Sequence, residues 1–398
     1  MPVDTPPGAS SLARRSLLGV AGGLLAGAAA WPHAVRAEVS VVSDPPRRWG
    51  RDAGPLVIPD PDVLVLDEAF RSLVVGNALI ERVWTGGAWL EGPAWSSIGR
   101  YLVMSDTRTD RQYRYLWETG GVTVMREPSG HSNGNAFDFE GRQVICQHLA
   151  RRVVRVEHDG SVRVIADHFE GRPLNSPNDV VPHPDGSLWF TDPPYGTTLA
   201  EGRPDAAGGP TNPQGLLNPG LGLGLLAVPG GDRRQPAGVY RWDPSGRLDQ
   251  VLSEVDLPMP NGIAFSPDHR TLYLSSTEQG PGTPPPPGGD KAVHAFEVSG
   301  TRLSSGRVLS DMRVDGAPCP PDGIKVDVMG NLWCASSGKE GHAGVVVLAP
   351  SGKPLGRIRL PEVCANMAFG GPRRNMLFMA ATRSLYRLQV NVQGAAPS

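Results

Sequence analysis

An excess of charge of either sign is missing from this chain. Its 398 residues carry 38 Lys and Arg against 40 Asp and Glu, a formal net charge of −2. With no basic footprint, nucleic acid is not an expected partner, and the weak field points to a small, weakly charged partner or none. Cysteine is scarce as well. Cys146, Cys319, Cys334 and Cys364 form no C-x-x-C pair and no zinc-ligand spacing, which argues against a structural zinc module. Long hydrophobic runs are also lacking, since the mild apolar run from Leu17 to Trp31 is too short for a spanning helix. Helical periodicity is missing too, beyond that run.

Turn chemistry is what the chain has in abundance. The 50 Gly and 40 Pro exceed a fifth of the residues, which favours many short strands over helices. Hydrophobic residues at 39 %, with 9 Trp, 9 Phe and 7 Tyr, are enough for a sizeable core. The segment "LNSPNDVVPHPDGSLWFTDPPYG", residues 174–196, shows the local pattern. Asn178 and Asp179 precede the apolar pair Val180-Val181, a Pro-Asp-Gly turn follows, and the strand-like Leu188, Trp189 and Phe190 come next.

That pattern recurs. Polar residues ahead of an apolar strand appear at Glu91 ("EGPAW"), Asn133 ("SNGNAFD"), Asn178 ("SPNDVV"), Asn261 ("MPNGIAF"), Asp322 ("PPDGIKV") and Asn366 ("CANMAFG"). The steps between them are 42, 45, 83, 61 and 44 residues. The two long steps contain Gly/Pro-rich inserts at about 197–238 and 279–290, and without these every step falls near the period of a four-stranded propeller blade. The chain is therefore expected to be all-β, a six-bladed β-propeller of four-stranded antiparallel blades over 76–390. "ALIERVW", residues 78–84, would supply the strand that closes the ring with the last blade. A two-domain β-sandwich is the competing architecture, but it gives no reason to repeat one polar start six times. Residues 38–75 are an N-terminal extension and 391–398 a C-terminal tail on this reading.

The N-terminus adds Arg14-Arg15, the mild apolar run and a Val35-Arg36-Ala37 exit. These predict a twin-arginine-type export signal over 1–37, cleaved after Ala37, with a mature chain in a bacterial periplasm or outside the cell. An uncleaved anchor is the alternative; after cleavage no stable membrane association is expected. Cys334 reads as a small core residue. Cys319 and Cys364 each sit just before a polar start, so in an oxidising compartment a Cys319–Cys364 bridge is possible.

In a propeller the polar starts lie at the same end of the innermost strands and converge on one mouth of the central channel. A single Asn or Asp there would be only a turn former. Together Glu91, Asn178, Asn261 and Asp322 supply two carboxylates and two carboxamides, a hard-oxygen set. It suits Ca²⁺ best and Mg²⁺ or Mn²⁺ less well; with neither His nor Cys it is poor for structural zinc, which leaves Zn²⁺ the outlying option. Asn178 is then a ligand, or a group one shell out.

At these residues the sequence resembles the gluconolactonase, regucalcin and lactone-hydrolase family of six-bladed propellers. The matching pieces, "EGPAW", "NGNAFDFEGRQVICQHLARRVVRVEHDG", "NSPNDVV…DGSLWFTDPPYG", "PNGIAFSPDHRTLYLSS", "PDGIKVDVMGNLWCAS" and "NMAFGG", span about 85–388. The resemblance implies one divalent metal, usually Ca²⁺, held by Glu91, Asn178, Asn261 and Asp322. It also implies hydrolysis of a small-molecule sugar lactone to its hydroxy acid, with Asp322 as base and Asp179 as fallback. Asn133, His148, Asp179 and Tyr195 are the substrate-binding candidates, with Asp192 a weaker one at the pocket border. Asn133 has an alternative as an Asn-Gly turn former, and His148 as a hydrogen-bonded structural residue. Arg151 and Arg152 are expected on a solvated strand face. The inserts would arch over the pocket, and a monomer is the default state. Competing functions are hydrolysis of other esters, including aryl esters or organophosphates, and a non-catalytic periplasmic propeller that binds sugar acids. A strictosidine-synthase-like condensation is disfavoured, because it would not keep the metal ligands.

Overall fold

The computed structural model describes residues 53–197, 233–277, 287–304, 306–338 and 341–395. The expected export signal and its cleavage point, and most of both inserts, lie outside the described residues. Among the described residues there are only strands and two short 3₁₀ turns, and no helix is long and apolar enough to cross a membrane.

The strands form six antiparallel blades. Their innermost strands are Leu90–Ser96, Ser132–Phe137, Val180–Pro182, Pro260–Phe265, Pro321–Val326 and Cys364–Gly370, for blades 1 to 6 in order. Each polar start falls on or just before one of them, as the spacing predicts. Blade 6 takes its outermost strand, Glu81–Thr85, from the other end of the chain, paired with Ser384–Gln389. This is the closing strand expected from "ALIERVW". Blade 5 gains a fifth strand, Val63–Val65, along Pro354–Arg359, and Phe70 just beyond it is buried in the adjoining core. At the other end Gly394 bridges Asp327 and the Ala395 N–H donates to the Val326 carbonyl. Both segments thus pack on the propeller.

The core lies between blades. One cluster joins blades 5 and 6 through Trp333, Val345, Met367 and Phe369; another joins blades 4 and 5 through Tyr273, Val293, Ile324 and Leu348. Alternation along each strand sends apolar side chains to both faces of every blade, because both faces are covered by neighbours. All four cysteines are buried free thiols. The Cys319–Cys364 bridge is therefore corrected. Cys319 packs in the interface of blades 4 and 5, whereas Cys364 packs in that of blades 5 and 6. Cys334 is a core residue, as expected.

Candidate functional site

Five of the six innermost strands carry a register shift at the polar start. It falls between Glu91 and Ala94, Ser132 and Asn135, Pro260 and Ile263, Pro321 and Ile324, and Cys364 and Asn366. A bulge of this kind bends the strand and re-aims its side chains. It also brings the innermost strands into close contact. A Cβ on Gly134 would lie 2.4 Å from the Asn178 carbonyl oxygen, and one on Gly262 would lie 2.3 Å from that of Asp322. The glycines after the polar residues are thus required by the approach of the next blade's backbone.

Hydroxyls lock this ring. Thr191 Oγ1, on the second strand of blade 3, donates to the Asn261 carbonyl of blade 4 at 2.7 Å. Ser275 Oγ of blade 4 donates to the Asp322 carbonyl of blade 5 at 2.7 Å. Asn135 Nδ2 of blade 2 reaches back to the Gly92 carbonyl of blade 1 at 2.8 Å. Neither Thr191 nor Ser275 was singled out by sequence, since their partners lie on a different blade.

The polar side chains sit as follows. Glu91, Asn178 and Asn261 are buried and Asp322 is half-buried. Glu91 Oε2 accepts the Gly92 N–H at 3.0 Å, and Asn261 Nδ2 donates to Thr277 Oγ1 at 3.1 Å, leaving the Asn261 oxygen outside that bond. Cys364 reports on the two carboxylates. Burial pushes its thiol well above the ordinary value, and the charges of Asp322 and Glu91 push it further. Among the described residues no group of three or more His, Cys, Asp or Glu is placed to hold a metal. The expected donor set has a different composition, two carboxylates and two carboxamides.

Blades 2 and 3 contribute the remaining candidates. Asn133 is 4 % exposed, and its Oδ1 has no hydrogen-bond partner. A buried acceptor without a donor is costly and is what a cation or a ligand hydroxyl would satisfy. The donor set and this orphaned oxygen fit a divalent cation. His148 is buried against Gly196, where a Cβ would come within 2.5 Å of its own Cβ, so His148 and neighbouring Tyr195 share one corner. His131, which sequence did not flag, joins them. Its carbonyl accepts the His148 N–H at 3.1 Å, and its Nδ1 lies 2.7 Å from the Thr107 carbonyl. The signal available was its place two residues before Asn133.

Two further carboxylates are held by the framework. Asp179 is 1 % exposed and bonded within the channel. Asp192 accepts the backbone N–H groups of Asn175 and Ser176, both at 2.8 Å. Asp106 does the same in blade 1 for Ala88 and Trp89, so Asp192 holds main chain rather than bordering the pocket. Arg151 is no mere surface group either, since it donates to the Asn175 carbonyl at 2.7 Å.

The fold and its relatives among known proteins together define an enzyme of the lactonase class. Residues 89–383 match the model of the SMP-30/Gluconolactonase/LRE-like region, and the chain belongs to that family. It is similar to a gluconolactonase of Zymomonas mobilis, 27 % identical over 336 residues, 79 % of this chain and 82 % of that one. A pentonolactonase of Haloferax volcanii is 25 % identical over 308 residues, 73 % of this chain and 80 % of that one. Among solved structures, a gluconolactonase from Xanthomonas campestris is 32 % identical and superposes with a TM-score of 0.66, covering 85 % of this chain and 99 % of that one.

Proposed function

We propose that the chain is a divalent-cation-dependent hydrolase that opens a sugar lactone to its hydroxy acid. The observation that supports this most is that Glu91, Asn178, Asn261 and Asp322 all stand at the polar starts of the innermost strands of blades 1, 3, 4 and 5, three of those strands bulged there, while Asn133 of blade 2 carries an orphaned carboxamide oxygen. Glu91, Asn178, Asn261 and Asp322 would hold the cation. When bound, it would supply polarisation of the lactone carbonyl and a lowered pKa for the attacking water, so no serine nucleophile is needed. Ca²⁺ fits this donor set best.

The protein's own groups do the rest. Asp322 is the accessible carboxylate of the set and takes the water's proton. Asn133 Oδ1 accepts a substrate hydroxyl, which ends its isolation. His148 and Tyr195 flank that corner and orient the polyol. Such positioning favours the reacting geometry over the many bound alternatives.

The test is hydrolysis of glucono-δ-lactone, followed with a pH indicator after chelation and after return of Ca²⁺, Mg²⁺, Mn²⁺ or Zn²⁺, with Asp322→Asn alongside. Activity lost on chelation, restored by one ion and absent in the variant is expected. A folded, cation-binding protein inactive with every ion would move the reading to another ester or to sugar-acid binding. We also propose export by the twin-arginine pattern and a monomeric mature chain. An N-terminal sequence beginning at Met1 on the isolated protein, or a dimer by light scattering, would contradict these respectively.

A further inference from the structure

The channel is bridged behind the candidate mouth. Asp179 follows Asn178 directly, and its Oδ1 accepts the N–H of Val180 at 3.0 Å. Its Oδ2 receives Lys325 Nζ from blade 5 at 3.4 Å and Asn366 Nδ2 from blade 6 at 3.3 Å. Gly323 makes room for this, since a Cβ there would lie 2.2 Å from the Asn366 side chain. The contacts run from blade 3 to blades 5 and 6, across the axis rather than from neighbour to neighbour. Farther along the innermost strands opens a cavity with apolar walls such as Phe137, Val181, Ile263 and Phe369. Lys325 lines it too, so the lysine approaches Asp179 from the far side of the bridge.

A buried carboxylate without a cation is expensive, and removing one member of a buried pair costs far more than the pair contributes. Neutralising Asp179 is one service Lys325 performs. The position of Asp179 points to a second. The main chain of its segment is already tied: Asn178 N–H to the Thr191 carbonyl at 2.8 Å, Gly134 N–H to the Asn178 carbonyl at 2.7 Å, and Asp179 N–H to Thr191 Oγ1 at 3.2 Å. What those bonds do not reach is the Asp179 side chain. That is held by the Val180 N–H on one oxygen and by Lys325 and Asn366 on the other, one residue from the Asn178 carboxamide.

We infer that Lys325 is a positioning residue of the candidate site: through Asp179 it fixes the Asn178–Asp179 segment, and with it the Asn178 carboxamide, for cation binding. The inference rests on the reading of Asn178 as a cation ligand. Groups of this indirect kind commonly change metal affinity by about 10–100-fold when replaced.

The experiment is isothermal titration of the full chain with Ca²⁺, with thermal unfolding measured in parallel. The variants are Lys325→Met, Lys325→Arg and the double variant Lys325→Met/Asp179→Asn. The double variant removes both charges, so it keeps the channel neutral and separates charge balance from positioning. Expected are a loss of affinity of about 10-fold or more in Lys325→Met, recovery of most of it in Lys325→Arg, and a double variant that unfolds near the wild-type temperature yet still binds Ca²⁺ weakly. If the double variant binds as tightly as wild type, Lys325 only balances a charge and the inference falls alone. If wild type itself binds no Ca²⁺, the reading of the site falls and takes the inference with it. Should Lys325→Met fail to fold, the arginine and double variants decide on the same terms.

Discussion

Thr191 Oγ1 donates to the Asn261 carbonyl at 2.7 Å and accepts the Asp179 N–H at 3.2 Å, so one hydroxyl clamps the polar starts of blades 3 and 4 together. Thr191→Val keeps the shape and removes both bonds. A buried carbonyl and a buried N–H are then left without partners, a cost of about 1–3 kcal/mol. The midpoint of denaturant unfolding should fall accordingly, with an unchanged slope.

Close approach of neighbouring blades gives a second expectation. Gly134→Ala and Gly262→Ala each drive a Cβ into backbone oxygen of the next blade, at 2.4 and 2.3 Å. Overpacking against an atom that cannot rotate away costs roughly 1–3 kcal/mol or more. Gly76, with nothing within 4 Å of an added Cβ, is the control and should accept alanine with little change in melting temperature.

Cation removal should act on stability as well as turnover. A ligand at 100 times its dissociation constant adds about 2.7 kcal/mol to the folded state. Chelation should therefore lower the melting temperature of wild type. Glu91→Gln, which removes one of the two carboxylates from the donor set, should shrink that difference. An equal chelator effect in both proteins would remove Glu91 from the set.

Acidity supplies a test within the blade framework. Burial pushes the Asp192 carboxyl up to about 7, against the opposing pull of the Asn175 and Ser176 N–H groups and the Arg151 charge. The unfolded value is about 4, so the folded state takes up a proton between about pH 4 and 7. The contribution of this group is full below about pH 4 and is lost as pH rises through 7, at up to about 1.4 kcal/mol per pH unit. Unfolding midpoints of wild type should thus fall relative to Asp192→Asn between about pH 4 and 7. Parallel curves would show that Asp192 stays ionised across the range.

Thiol chemistry is the simplest check. Four buried free cysteines should react with a thiol reagent only after denaturation, and then all four should titrate without reductant.

The blade count was legible because each polar start is short, local and repeated, and the glycine behind most of them marks where the next blade's backbone arrives. Asn133 is itself one of those polar starts, whereas His148 and Tyr195 entered through the family resemblance and a place after a channel-side strand. What crosses between blades was not legible. Thr191, Ser275 and His131 act on partners whose distance depends on how two sheets are registered, which no spacing within one blade encodes. Cys319 and Cys364 illustrate the trap. Equivalent places on successive blades look like neighbours in the sequence, yet each faces a different interface. Asp192 misled because a carboxylate at a strand end serves equally well as a main-chain clamp.

The pairing of Glu81–Thr85 with Ser384–Gln389 has a consequence for how such a molecule comes into being. The last sheet is shared between the two ends of the polypeptide, so blade 6 lacks its outer member until both ends have met. A fragment ending before residue 384 would lack the strand that joins Glu81–Thr85 to the rest of blade 6. Completion of the last blade therefore waits on a contact between segments some three hundred residues apart, the longest-range strand pairing in the ring.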